Sequence, residues 1–140
     1  TRAETVTMNL ADARSAIVAA WVSQNFITTV YENNIEEPTA AHAVFTFMPV
    51  TTDGVALGRY GQDETQGIAQ IDLMYPIDTG NADILAKAKA ITDYFYNGRG
   101  LTYNSVSVVI NRVAYASPLT DNGWYRQTLS IYWYSRKTRA

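Results

Sequence analysis

Trp124-Tyr-Arg-Gln-Thr-Leu-Ser-Ile-Tyr-Trp-Tyr134 decides the fold class. Tyr125, Leu129, Ile131 and Trp133 fall on one side of an extended chain, and Arg126, Thr128, Ser130, Tyr132 and Tyr134 on the other. A period of two with one apolar side is the pattern of a half-buried β-strand. Ser117, Pro118, Asp121, Asn122 and Gly123 precede it as a turn. Before that turn, Ser105 to Tyr115 reads as its hairpin partner, with Val106, Val108 and Ile110 on one face and Val109 and Val113 on the other.

A second pair of strands lies upstream. Ala43 to Val50 crowds both faces with Val44, Phe45, Phe47 and Met48. Ile68 to Tyr75 sets Ile68, Gln70 and Asp72 against Ala69, Ile71, Leu73 and Tyr75, and Pro76 ends it. Between them, Thr51 to Gly67 holds Gly54, Gly58, Gly61 and Gly67, as a mobile loop or a twisted hairpin extension. A connection that long is usually functional or disordered. Drawn as a projecting arm, it carries Arg59 and Tyr60 at its tip and Asp63 and Glu64 on the return.

Two helices complete the plan. Leu10, Ala13, Ile17, Ala20, Trp21 and Gln24 recur at three- and four-residue steps, with Asn9 as cap and a fade near Asn25. Ile84, Leu85, Ala88, Ile91, Thr92 and Phe95 form a second stripe within Ala82 to about Tyr96, with Asp83, Lys87 and Asp93 turned outward. Thr79, Gly80 and Asn81 cap that helix, and Asn97, Gly98 and Gly100 stop it. Phe26 to Tyr31 is β-branched and aromatic; Asn33, Asn34, Glu36, Glu37 and Pro38 read as a turn or loop. The expectation is one α+β domain over residues 1–140. It has a four-stranded, mainly antiparallel sheet, two helices on one face, and loose ends at 1–9 and 136–140.

Composition narrows the chemistry. The chain has 140 residues, no cysteine and a single histidine, His42. Thiol catalysis, disulfide scaffolds and Cys-ligated metals are excluded, and no two-histidine mechanism is available. His42 reads as a surface or edge residue rather than a general base. The acid pairs Glu36–Glu37 and Asp63–Glu64 sit on polar loops with nothing apolar beside them to raise a pKa. The glycines at 54, 58 and 61 are not followed by Gly-Lys-Ser/Thr, so they do not make a phosphate loop. The acids do not recur at alternate positions around a glycine, as an oxygen-ligand metal loop requires. No run approaches the roughly 20 apolar residues of a membrane helix. No basic-then-apolar leader opens the chain. The expectation is a protein that is not an enzyme, with no cofactor, metal or membrane partner.

Charge adds a polarity. The net of −2 hides two unlike halves: residues 1–74 set three basic residues against nine acids, and residues 75–140 set eight against four. The end is the most basic stretch, with Arg136, Lys137 and Arg139. One reading is a solvated tail. The other is that opposite-signed faces of identical subunits meet head to tail, as ring formation requires. The polar face of the last strand, with Arg126, Tyr132 and Tyr134, suits a protein contact, where tyrosine is enriched. The same face offers stacking platforms to single-stranded nucleic acid as the alternative.

Three stretches carry a family likeness. They are Ala13-Arg-Ser-Ala-Ile-Val-Ala-Ala-Trp21, then Ile71-Asp-Leu-Met-Tyr-Pro76 with Thr79-Gly-Asn-Ala-Asp-Ile-Leu-Ala-Lys87, and the closing strand 124–134. Together, over residues 10–135, they resemble the small tail-terminator (tail-completion) proteins of long-tailed bacteriophages. The resemblance implies an α+β subunit of a hexameric virion ring, assembled in the host cytoplasm. That ring would sit on the head-proximal end of the tail tube, stop its polymerisation and present a surface to the head–tail connector. The partners are then further copies, the tube protein and the connector, with nucleic acid at most passing through the ring. Other small neck or minor tail proteins remain the alternative. The family has no short site motif to transfer. Contacts to subunits or tube are therefore assigned from the loop and strand reading to Arg59, Tyr60, Asp63, Glu64, Arg126, Tyr132, Tyr134, Arg136 and Lys137.

Overall fold

The computed structural model describes residues 10–32, 38–54, 62–77, 82–121 and 123–138. In chain order these form α1 (Leu10–Gln24), β1 (Thr29–Val30), β2 (His42–Gly54), β3 (Gln62–Pro76), α2 (Ala82–Tyr94), β4 (Gly100–Tyr103), β5 (Val106–Tyr115), β6 (Leu119–Asp121) and β7 (Trp124–Thr138). The class is α+β, as expected, but the four expected strands are the centre of a larger sheet. Its order is β1-β2-β3-β7-β5-β4, with β6 on β7. All pairs are antiparallel except β1 on β2, so the sheet is mixed. The extra strands are two, four and three residues long, too short to show a period.

One face of the sheet meets both helices. Phe45, Ile71, Leu129, Ile131 and Val108 join Ala13, Ile17 and Trp21 of α1 and Ile84, Ala88 and Ile91 of α2 in a single core. Trp21 ties the layers together. Its ring centre lies 5.0 Å from Phe26, 6.3 Å from Phe45 and 6.5 Å from Phe95. Its Nε1 donates to Thr29 Oγ1 at 2.8 Å, which satisfies the buried indole at the loop that follows α1. Asn25 ends α1 in the left-handed conformation, φ 47°, one residue past the helix. Leu10 and Leu85, expected in the apolar stripes, are instead 43% and 52% exposed. Lys87, expected outward, donates from Nζ to the Phe26 carbonyl at 2.6 Å and pins the α1–β1 loop to α2.

Two irregularities redirect side chains. Between Ile110 and Arg112 the β5–β7 register slips, and Val113 comes opposite Ile131 rather than facing away from Ile110. A bulge adds one residue and reverses the alternation beyond it, so Val113 joins the core side. The β2–β3 register slips between Pro49 and Thr51, where proline has no N–H to give the ladder. Beyond that slip the strands stay paired out to Gly54 opposite Asp63. The glycine-rich segment is thus a hairpin extension at its base. Its tip, with Arg59 and Tyr60, lies outside the described residues, as do 1–9, Glu36, Glu37 and 79–81. The expected loose end at 136 is corrected: β7 runs on to Thr138, opposite Gln62.

Candidate assembly surfaces

The second face of the sheet carries no helix among the described residues, since both helices send their buried side chains to the first. Antiparallel register lines up its rows: Met48, Ile68, Tyr132 and Arg112 in one, and Val44, Asp72 and Thr128 in another. Asp72 is only 9% exposed. Its Oδ1 accepts from Thr128 Oγ1 at 2.5 Å and its Oδ2 from Gln70 Nε2 at 3.2 Å. A carboxylate so satisfied fixes strand register and needs no further partner.

Towards the arm the face becomes a ladder of arginine and tyrosine. The Arg112 guanidinium lies 4.1 Å from the Tyr132 ring centre, and Arg136 lies 5.4 Å from that of Tyr134. Arg136 Nε also donates to Glu64 Oε1 at 3.0 Å, while Gln66 Nε2 donates to Glu64 Oε2 at 2.6 Å. Beside these side chains lies a hollow of about 150 Å3 lined by Glu64, Gln66, Ile68, Tyr132 and Tyr134 among others. On the helix side of the arm a wider concavity of about 450 Å3 separates its base from the start of α1. Leu10, Pro49, Val50, Thr52, Asp63 and Thr65 line it.

The free side of β2 is covered in a specific way. β1 reaches only Ala43 and Val44. Three residues on, Glu32 takes over, its Oε2 accepting from the Phe47 N–H at 2.7 Å while Arg14 Nη2 donates to Oε1 at 2.6 Å. Partial burial pushes the Glu32 carboxyl up. The hydrogen bonds from Arg14 and Phe47 outweigh this and hold it below the usual carboxylate value. The carboxylate therefore does the work of a strand carbonyl on an otherwise open edge.

Of the expected contact residues, the fold brings Glu64, Arg126, Tyr132, Tyr134 and Arg136 onto the uncovered face. Asp63 is on the opposite side, in the wider concavity, and Lys137 stands across from it on β7. Arg112 was not foreseen, since its place beside Tyr132 depends on a bulge that no residue pattern announces. His42 is not a surface residue: it is 6% exposed, its Nδ1 lies 2.9 Å from the Ala40 carbonyl, and its ring meets Trp124 edge-on at 4.9 Å.

Residues 9–133 match the family of phage tail terminator proteins. The chain belongs to that family. A terminator is a structural part of a bacteriophage tail, and so a virion component in a setting of tail and head assembly. None of the curated proteins matches the chain. One solved structure shares its fold with a TM-score of 0.69 at 16% identity, covering 94% of this terminator and 97% of the other chain. No helix among the described residues of the terminator is long and apolar enough to cross a membrane.

Proposed function

We propose that this chain forms a ring on the end of the phage tail tube, stops tube polymerisation and provides the surface to which the head joins. The match to the terminator family over residues 9–133 carries the reading. The two surfaces support it, since a ring subunit must offer separate faces to its neighbours and to the structures above and below. The arm, with Arg59, Tyr60 and Asp63, is assigned to the tube. The Tyr132, Tyr134, Arg126, Arg136 and Glu64 face, with Lys137 at its rim, is assigned to contacts with copies or the connector.

The single-stranded nucleic-acid reading draws less support. Arg112 and Arg136 already lie over Tyr132 and Tyr134, on ring faces that a stacking base would need. Light scattering with negative-stain microscopy tests the ring. Six copies of a 15.6 kDa chain give about 94 kDa and a closed annulus, alone or on tube ends. A persistent monomer that ignores tail tubes would overturn the reading.

A further inference from the structure

β2 is thirteen residues long, yet β1, the strand outside it, pairs with only two of them. The rest of its outer side would be a row of unmet N–H and C=O groups, which is a template for another chain. The sequence of that side sharpens the hazard. Ala43-Val-Phe-Thr-Phe-Met48 has no charged residue, glycine or proline, and aromatic and β-branched side chains dominate it. A six-residue segment of that composition pairs readily with copies of itself.

The fold closes this side at successive outward positions. Ala43 donates its N–H to the Thr28 carbonyl at 2.8 Å, where the chain enters β1. Further along, Phe47 donates its N–H to Glu32 Oε2 at 2.7 Å. One period on, Pro49 has no N–H to offer. The Glu32 carboxylate is itself held in place. Its Oε1 accepts from Arg14 Nη2 at 2.6 Å, and the Arg14 guanidinium lies 5.9 Å from the Phe45 ring centre and 6.0 Å from that of Tyr31. Tyr31 packs on Phe45 in turn, at 5.7 Å. Helix α1, the residues that follow β1 and β2 itself thus converge to keep one carboxylate on one N–H.

We infer that Glu32, held by Arg14, bars the outer side of β2 against the same stretch of a second copy. The excluded partner is a second copy because the stretch is self-complementary: a two-fold axis would set Ala43–Met48 antiparallel to itself, as one isologous contact. Glu32 satisfies the Phe47 donor without extending the backbone ladder. An incoming strand must therefore displace a carboxylate already bonded through both oxygens. A short β1 and Pro49 close the positions on either side of it. A subunit whose copies must meet in one way gains from the closing of another. The inference stands apart from the ring reading, since it concerns a contact that is prevented.

The chain has no cysteine, so Thr46→Cys, half-buried on the uncovered face of β2, places a single reporter thiol beside this edge. A short bismaleimide joins two such thiols where two β2 strands lie side by side, without demanding disulfide geometry. In that background Glu32→Ala is expected to raise the yield of covalent dimer at least fivefold over the chain that keeps Glu32. Ile91→Val, which lowers stability from the buried face of α2, is the control for partial unfolding and is expected to stay at the parent's yield. Amide hydrogen exchange gives the second measurement. In Glu32→Ala without the reporter, the Phe47 amide is expected to exchange at least tenfold faster than in the parent at low concentration. It should regain protection as concentration rises and copies pair. Equal dimer yields from Glu32→Ala and Ile91→Val would overturn the inference, and so would a Phe47 exchange rate that ignores concentration.

Discussion

Gly67 lies opposite Trp133 in the register of β3 and β7, and the indole lies across it. A Cβ there would overlap the ring and come within 2.7 Å of the Met48 carbonyl oxygen, which is backbone and cannot swing away. Phe47 closes the sandwich, stacked on the indole at 5.2 Å and 10°. Gly67→Ala should therefore cost roughly 1–3 kcal/mol through overpacking. A thermal melt reads this as a fall of several degrees, and an unchanged midpoint would contradict the packing described. In sequence this glycine looked like one of four in a loop, and only the facing indole shows why it is needed. Glu32 is a second case. Its folded pKa lies below the ordinary value, so its contribution to stability is complete above that value and is lost as pH falls through the folded one. Glu32→Gln should lower stability at neutral pH and flatten the acid limb of stability measured by denaturant titration between pH 7 and 3. A limb as steep as the parent's would show that the clasp with Arg14 and Phe47 does not hold the edge.

Elements with a sustained period were legible from residues alone, namely α1, α2, the centre of β3, the first half of β5, and β7, and the centre of β2 was legible as an apolar run. Each is long enough for its period to outweigh local noise. What escaped was set by neighbours instead. β1, β4 and β6 exist because longer strands offer them hydrogen bonds. One register slip moved both Val113 and Arg112 to places that strict alternation denies them. The contact face was legible as far as it lay on β7, and the partners that Arg112 and Glu64 bring to it were not. The arm gives the prediction at this scale. Its base, beyond the slip at Pro49, is a regular ladder from Thr51 opposite Gln66 out to Gly54 opposite Asp63, apart from the core that α1 and α2 cover. Replacing residues 55–61 by a short Asn-Gly turn should leave the stability within about 0.5 kcal/mol of the parent, as surface changes usually do. The same change should lower affinity for tail tubes at least tenfold in co-sedimentation. Full retention of tube binding would remove the arm from the contact.

At the scale of the molecule, a near-neutral total is the sum of an acidic first half and a basic second half, on a sheet with two helices on one face and none described on the other. That division suits a part which touches several neighbours at once. The central claim is that this chain halts the growth of the tail tube, and the most direct measurement is tube length. Purified tube protein is polymerised with and without the chain and imaged by negative stain. The account predicts shorter tubes of narrower length distribution, with an extra ring of density on one end. Tubes of unchanged length with bare ends would contradict it.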